Sequence, residues 1–284
     1  MVLQDDERSM LLELGRRHRL WDAGSEPELL ARGTENTTFA VAECVVRRSA
    51  DSQALAREVA LLSALADATS VPVPVPLMYD PELGLFAYRR LPGTPLIVRP
   101  SADPCGVERA LIDVLGALRS LDPELLPTDA YSNDAWHRDA TRAFALVAPH
   151  LAGRRARRVR EFLDERPPSD RPEAIAQHND LGAEHILVDD VGRVTGVIDW
   201  TDAARADPAR DLGSIHRDLG PASAFRVAES LGHPLTDDEV RRIRFHARCR
   251  WIEDAAFALE APAPRHRYLA NVRRTFDHTF GHSR

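Results

Sequence analysis

Residues 174–202, AIAQHNDLGAEHILVDDVGRVTGVIDWTD, constrain the chain more than any other stretch. Ala174-Ile175-Ala176 is a short apolar run that leads into His178-Asn179-Asp180. Two β-rich pieces follow, residues 186–188 and 194–198, separated by the turn-like Asp189-Asp190-Val191-Gly192. This order predicts a strand, a polar loop and a β-hairpin. Asp180 and His185 then fall on the loop, and Asp199 falls where the second hairpin strand runs out, so three proton- or metal-competent side chains meet at one end. A carboxylate able to take a hydroxyl proton, a ligand a few residues on and a second carboxylate after a hairpin are the parts that phosphoryl transfer needs. The protein's work in that chemistry is to position the nucleophile and to hold magnesium against phosphates. Singly, each motif is weak, because an Asp after a strand is more often a turn or helix cap. A hydrolase binding zinc or manganese through His178, Asp180, His185 and Asp199 is the competing reading.

Composition narrows the setting. A chain of 284 residues is expected to form one or two lobes, and 44% hydrophobic with 29% charged residues is ordinary for a globular protein. No apolar run approaches a membrane span, so no membrane partner is expected. The start, Met1-Val2-Leu3-Gln4-Asp5-Asp6-Glu7, lacks the basic and apolar regions of a signal peptide. Cys44, Cys105 and Cys249 are far apart and read as reduced thiols, which together with that start points to the cytoplasm. The formal charge of −7 argues against nucleic acid as a partner and is compatible with a cationic small molecule. A monomer or weak dimer is expected. The sequence contains no lysine, so any phosphate-gripping cation has to be arginine.

Along the chain, residues 9–31 read as a capping helix broken by Gly24 and Pro27. Gly33, Asn36 and Thr37 open the first of two strands, residues 33–41 and 44–48, where backbone N–H groups and hydroxyls could approach phosphates. An ordinary strand-entry turn is an equal reading of that loop. Arg47 ends the second strand; alternation puts it opposite Arg48 in facing, and the pattern leaves open which of the two turns inward. Residues 51–67 form the clearest helix, with Leu55, Val59, Leu62 and Ala66 in one stripe and Ala54, Leu61 and Leu65 in another. Glu58 falls on the second stripe with no cation at i±3 or i±4, so a core-facing Glu58 needs a partner, and Arg47 is the natural one. A snorkelling Glu58 at the stripe's edge is the alternative. The run Val71-Pro72-Val73-Pro74-Val75-Pro76 is an extended connection, residues 83–88 a strand, and residues 89–95 the best lobe boundary. That gives an N-terminal lobe of residues 1–90 and a C-terminal lobe of residues 91–284, with the hinge at about 88–93. Residues 106–165 are mainly helical, and Thr236-Asp237-Asp238-Glu239 is a capping box opening a long helix. Trp251 and Asp254 share one face of that helix, either as an amino-sugar contact or as core tryptophan and surface acid.

His178-Asn179-Asp180, His185 and Ile198-Asp199-Trp200 resemble the catalytic and metal motifs of the aminoglycoside phosphotransferase family, small-molecule kinases with a protein-kinase-like fold. The family pattern is H-x-D-x-x-x-x-N, and His185 stands where that Asn is usual, as in some aminoglycoside 2″-kinases and in macrolide kinases. The resemblance runs over about residues 30–260 and implies a two-lobed α/β (α+β) fold with a small β-rich lobe and a larger, mainly helical one. It implies transfer of phosphate from ATP or GTP to a hydroxyl of a small molecule, with an aminoglycoside-type antibiotic as the expected acceptor and antibiotic resistance or self-protection as the role. A macrolide, a nucleoside antibiotic and a metabolite stay open as acceptors. On this resemblance Asp180 acts on the acceptor hydroxyl, and His185 and Asp199 hold Mg²⁺. Gly33, Asn36, Thr37, Arg47 and Glu58 serve the phosphates, and Tyr88 to Leu91 lie beside the purine. His178 and Asp211 support the loop, and Asp202 is either a helix cap or, with Trp251 and Asp254, a contact for the acceptor.

Overall fold

The computed structural model describes residues 3–22, 24–32, 36–101, 103–171, 173–260 and 265–281. Helix α1 (Asp5–His18) is followed by β1 (Glu28–Arg32), β2 (Asn36–Val41) and β3 (Cys44–Ser49), then α2 (Ser52–Ala68), β4 (Pro76–Asp80) and β5 (Leu85–Arg89). The five strands form one antiparallel sheet in the order β1-β2-β3-β5-β4. The helix-like region expected over residues 9–31, broken by Gly24 and Pro27, is corrected here. The helix starts earlier and stops at His18, where Arg19 takes a left-handed φ of 56°, and residues 28–32 are an edge strand. Four of that strand's five residues are exposed, so no alternation of polar and apolar residues marks it in the sequence.

Cross-strand partners share a face of a sheet, and the register Thr38↔Arg47, Phe39↔Val46, Arg47↔Phe86 and Val45↔Tyr88 sorts the two faces. Phe39, Val41, Val46, Leu85 and Ala87 pack on Leu11 and Leu14 of α1 and on Trp21. Val45, Phe86 and Tyr88 pack on Leu55, Leu61, Leu62 and Leu65 of α2. Helix α2 starts where Asp51 accepts hydrogen bonds from the N–H groups of Gln53 (3.0 Å) and Ala54 (2.9 Å). Its buried residues, Leu55, Glu58, Leu61, Leu62 and Leu65, follow the helical repeat, so Glu58 is carried into the interface between sheet and helix by the same periodicity that buries the leucines.

The chain continues through β6 (Thr94–Pro95), α3 (Pro104–Ser120), α4 (Asn133–Val147), α5 (Gly153–Leu163), β7 (Ile175–Gln177), β8 (Ile186–Val188), β9 (Val194–Val197) and β10 (Ala204–Ala206) to α6 (Ala209–Leu219), α7 (Pro221–Ser230), α8 (Asp237–Leu259) and α9 (His266–Phe280). The protein thus has a β-sheet N-terminal region and a mainly helical C-terminal region. The hairpin β8–β9 carries β6 on its edge, and β7 pairs with β10. One apolar cluster runs from the α2 face of the sheet through α3 to Ile186, Val188, Val197 and Trp200, which fixes the hairpin's open end beneath Arg47 and Glu58. Thr236 caps α8 by accepting from the Glu239 N–H at 3.2 Å, but Glu239 turns to Arg171 at 3.0 Å, so only half of the expected capping box is among the described bonds. No helix of the described residues is long and apolar enough to cross a membrane.

Candidate active site

The loop after β7 is held from three sides. Asp211, near the start of α6, accepts from the backbone N–H groups of His178 (2.8 Å) and Asn179 (2.9 Å). Asn179 adopts a left-handed φ of 67°, a conformation Asn tolerates better than most residues, and this turns the chain so that Asp180 projects from the loop. The Asp180 N–H donates to His178 Nδ1 at 3.3 Å, so the ring proton sits on Nε2, which donates to the Ile198 carbonyl at 3.1 Å. Burial lowers the His178 pKa, in keeping with a neutral ring that ties the loop to the end of the hairpin.

His185 is oriented by the same logic. Its Nδ1 donates to the Asp180 carbonyl at 2.8 Å, which leaves the Nε2 lone pair facing Asp199 Oδ2 at 3.6 Å. Burial opposes charge on this ring, yet the carboxylates of Asp180, Glu184 and Asp199 outweigh it and raise its pKa. Asp199 follows β9 with a φ of 65°. Burial raises its carboxyl, but Arg47 and His185 pull it below the usual range.

The pairing anticipated from the α2 stripe is present. Arg47 Nη1 donates to Glu58 Oε1 at 2.8 Å and to Asp199 Oδ1 at 3.1 Å, while Nη2 contacts the Thr201 hydroxyl. Arg48 is exposed on the other face. Burial pushes the Glu58 carboxyl up to about 7 against the pull of Arg47, whereas Arg47 holds its proton because Glu58 and Asp199 outweigh its own burial. The two partners move in opposite senses as regards charge because burial outweighs the pull of Arg47 at Glu58, with Asp199 and Asp202 adding to it, while two carboxylates outweigh burial at Arg47. The 2.8 Å contact favours the ionised pair. Thr201, which also lies 3.2 Å from Asp199 Oδ1 and 3.4 Å from Glu58 Oε2, joins the sheet side of the site to the hairpin side.

Other sequence expectations meet a different structure. Gly33 lies outside the described residues. Asn36 starts β2 on the Arg47 face, but Thr37 pairs with Arg48 and lines a cavity of about 630 Å³ with Arg32, Arg48 and Glu82 on the far face, so its side chain is directed away from Arg47. Tyr88 is buried on the Arg47 face, and Leu91 lies against Gly196, where an added Cβ would stand 2.6 Å from Leu91 Cδ1. Asp202 is exposed on a turn and caps no helix; the protein around its carboxyl strips part of its hydration and, with the Asp180 and Asp199 carboxylates nearby, raises its pKa. Trp251 is corrected to a core residue: it is 1% exposed, packs on Phe276 and Phe280, and donates to the Val272 carbonyl at 3.0 Å. Asp254 is no surface acid either, since Arg217 lies 2.9 Å away. The physical reason for both is that α8 packs against α4, α6 and α9, and its Trp251–Asp254 side meets α9 and Arg217 of α6, so no face is left for a ligand at Trp251.

The sequence reading missed the residues that brace the loop from the helical side. Arg210 Nη1 donates to Asn179 Oδ1 (3.0 Å) and to Asp129 (2.5 Å), and Asn179 Nδ2 donates to the same Asp129 carboxylate at 2.9 Å. Arg250 reaches Asp180 Oδ1 at 3.1 Å. Only Asn179 had a local signal, its place inside the motif; Asp129, Arg210 and Arg250 meet it through tertiary packing alone.

A family model described as "Phosphotransferase enzyme family" matches residues 26–246. The chain belongs to this family. Viomycin phosphotransferase of Streptomyces vinaceus is 33% identical over 153 residues, 49% of this chain and 51% of that protein. The uncharacterized YcbJ of Bacillus subtilis (strain 168) is 46% identical over 52 residues, 18% of this chain and 17% of that one, so the chain matches about half or less of the length of these relatives. Among solved structures, the chain resembles the GDP complex of aminoglycoside 2'-phosphotransferase-IIIa with a TM-score of 0.68 at 18% identity, covering 98% of this chain and all 100% of that one. It also resembles the apoenzyme of macrolide 2'-phosphotransferase MphH from Brachybacterium faecium, with a TM-score of 0.59 at 24% identity over 95% and 98% of the two chains. At such identities the likeness is one of fold, and it bears out the kinase-like architecture expected from the sequence. Family membership sets aside the hydrolase reading, and among the described residues no group of three His, Cys, Asp or Glu side chains is arranged to hold a metal.

Proposed function

We propose that this phosphotransferase moves the terminal phosphate of ATP or GTP to a hydroxyl of a cationic small molecule, with an aminoglycoside-type antibiotic as the leading acceptor. The observation that carries the reading is the meeting of Asp180, His185 and Asp199 at the open end of the hairpin, directly beneath the Arg47–Glu58 pair. In this reading Asp180 accepts the hydroxyl proton and Arg47, held by Glu58, neutralises phosphate oxygens. The nucleotide lies between the sheet and the hairpin, with its base beside Tyr88 and Leu91, and residues 88–93 form the hinge between lobes of residues 1–90 and 91–284. His185 Nε2 and Asp199 Oδ2, 3.6 Å apart, suit a divalent cation whose remaining ligands are phosphate and water oxygens. Bound there, Mg²⁺ supplies charge neutralisation for the leaving phosphates. On the proposed acceptor side Asp202 is exposed, with the Asp180 carboxylate nearby. Such a setting favours an ammonium-bearing acceptor. One solved neighbour is a streptomycin–ATP ternary complex and another a GDP complex, in keeping with ATP or GTP as the co-substrate.

The test is nucleotide consumption with ATP and GTP in parallel against aminoglycosides, viomycin, macrolides and nucleoside antibiotics. Viomycin belongs on the panel because of the 33% identical relative. The expected result is acceptor-dependent turnover with one cationic antibiotic; no turnover above the acceptor-free rate with any of them overturns the reading.

Glu58→Ala separates the phosphate grip from stability. Arg47 keeps Asp199 as a partner, so its charge is not stranded and the melting temperature falls only a few degrees, while the guanidinium loses the contact that aims it. A charged hydrogen bond is worth about 1.5–3 kcal/mol, so the nucleotide KM rises about tenfold or more. Unchanged nucleotide KM and kcat would return Glu58 to a packing role.

A further inference from the structure

Arg250 is on α8, 70 residues from the loop it touches, and its guanidinium forks onto two neighbouring residues. Nη1 lies 3.1 Å from Asp180 Oδ1, and Nη2 donates to the Asn179 carbonyl. The guanidinium lies over the Trp136 ring of α4, 4.6 Å from its centroid, so the fork is set against an aromatic surface before any ligand arrives. Arg210 lies over the same ring at 5.8 Å and grips Asn179 Oδ1 at 3.0 Å. Residues 179 and 180 are therefore held by two guanidiniums that share one indole.

A carboxylate that must accept a proton from an alcohol works only in a narrow range of orientations, and free rotation of its two oxygens would spread it over unproductive ones. Arg250 occupies one of those oxygens. The other, Oδ2, stands 3.6 Å from His185 Nδ1, whose proton is already given to the Asp180 carbonyl, so Oδ2 keeps its lone pairs. The Arg250 side chain is 16% exposed and that of Asp180 33%, which places the arginine behind the carboxylate and leaves the carboxylate at the surface of the cleft.

We propose that Arg250, seated on Trp136, is a positioning residue that fixes Asp180 Oδ1 so that Oδ2 alone meets the acceptor hydroxyl. The inference rests on the phosphotransfer reading above. In the step it serves, the acceptor O–H proton passes to Oδ2, the acceptor oxygen bonds to the terminal phosphorus, and the bridging oxygen leaves with the nucleoside diphosphate. A planar fork can hold a carboxylate and a carbonyl at once, whereas an ammonium can hold the charge but not the plane.

The experiment compares wild type, Arg250→Gln, Arg250→Lys and Arg250→Ala with the acceptor found by the panel. The expected result is a kcat about 10–10²-fold lower in the Gln variant with nucleotide KM within about twofold. The Lys variant recovers part of kcat, and millimolar guanidinium ion partly restores the Ala variant. A kcat within twofold of wild type in the Gln and Ala variants overturns the proposal. So does a loss that tracks a fall in melting temperature and responds neither to Lys nor to added guanidinium, because that pattern marks packing alone. Wild-type turnover and Asp180→Asn, assayed alongside, keep the readings apart: no acceptor-dependent turnover by wild type means the phosphotransfer reading has failed, a fully active Asp180→Asn means the role of Asp180 has failed, and an inactive one beside a fully active Arg250→Gln means only the positioning role has failed.

Discussion

Asp180→Asn lowers kcat by about 10²–10⁴-fold, the range general-base catalysis contributes, which corresponds to about 3–5 kcal/mol of barrier. Nucleotide affinity stays close to wild type, because in the proposed reading the carboxylate faces the acceptor while the phosphates are gripped from the sheet side by Arg47, which Glu58 holds. The fold should also tolerate the change. Most hydrogen bonds that shape the loop use the backbone of Asp180 and the side chains of His178, Asn179 and Asp211, which the isosteric amide leaves in place, and its oxygen can still accept from Arg250 without the carboxylate's charge. Steady-state kinetics at saturating acceptor, with nucleotide binding measured separately by calorimetry, makes the comparison. Near-normal turnover of the Asn variant would remove the central assignment.

His185 gives the second large effect. Magnesium prefers oxygen ligands in octahedral geometry, and imidazole nitrogen suits manganese, cobalt or zinc better. His185→Asn, which restores the amide oxygen usual at this position, therefore retains much of the magnesium-supported activity, and His185→Leu loses most of it. The pH dependence has a definite sign. A protonated ring has no lone pair for a metal, and the carboxylates around His185 raise its pKa above the ordinary 6.5 despite burial. Protons then compete with the metal from above that pH downward, so wild-type metal affinity falls as pH drops from 8 to 6, while the Asn variant changes little. Calorimetric titration of metal into the nucleotide complex of both proteins measures this. Equal activity of the Leu variant and wild type across magnesium and manganese would make His185 a loop-packing residue.

The local part of this architecture is legible in residues 174–202 because strand, loop and hairpin are short-range patterns. Apolar runs and turn residues place Asp180, His185 and Asp199 at one end before any packing is known. Glu58 was legible for a related reason: a carboxylate inside a leucine stripe has no local partner and has to find one elsewhere. The limits are equally physical. Strand β1 is an exposed edge and carries no alternation, so periodicity merged its residues with the helix before it. Trp251 shares its helix face with Asp254, but that face meets Phe276 and Phe280 of α9 and Arg217 of α6, partners no local pattern reveals.

What the sequence alone determined is therefore the hairpin, the three groups at its open end, the α2 stripe with its carboxylate, and, through the motifs, the family. Tertiary structure decided which of Arg47 and Arg48 turns inward, because that depends on which sheet face meets α2. It decided that Thr37 looks away from the site, by the register of β2 on β3. It also brought Asp129, Arg210 and Arg250 to the loop from separate elements. A sequence pattern reports only neighbours along one helix or strand, whereas a guanidinium 70 residues away reaches Asp180 only once α4 and α8 have packed.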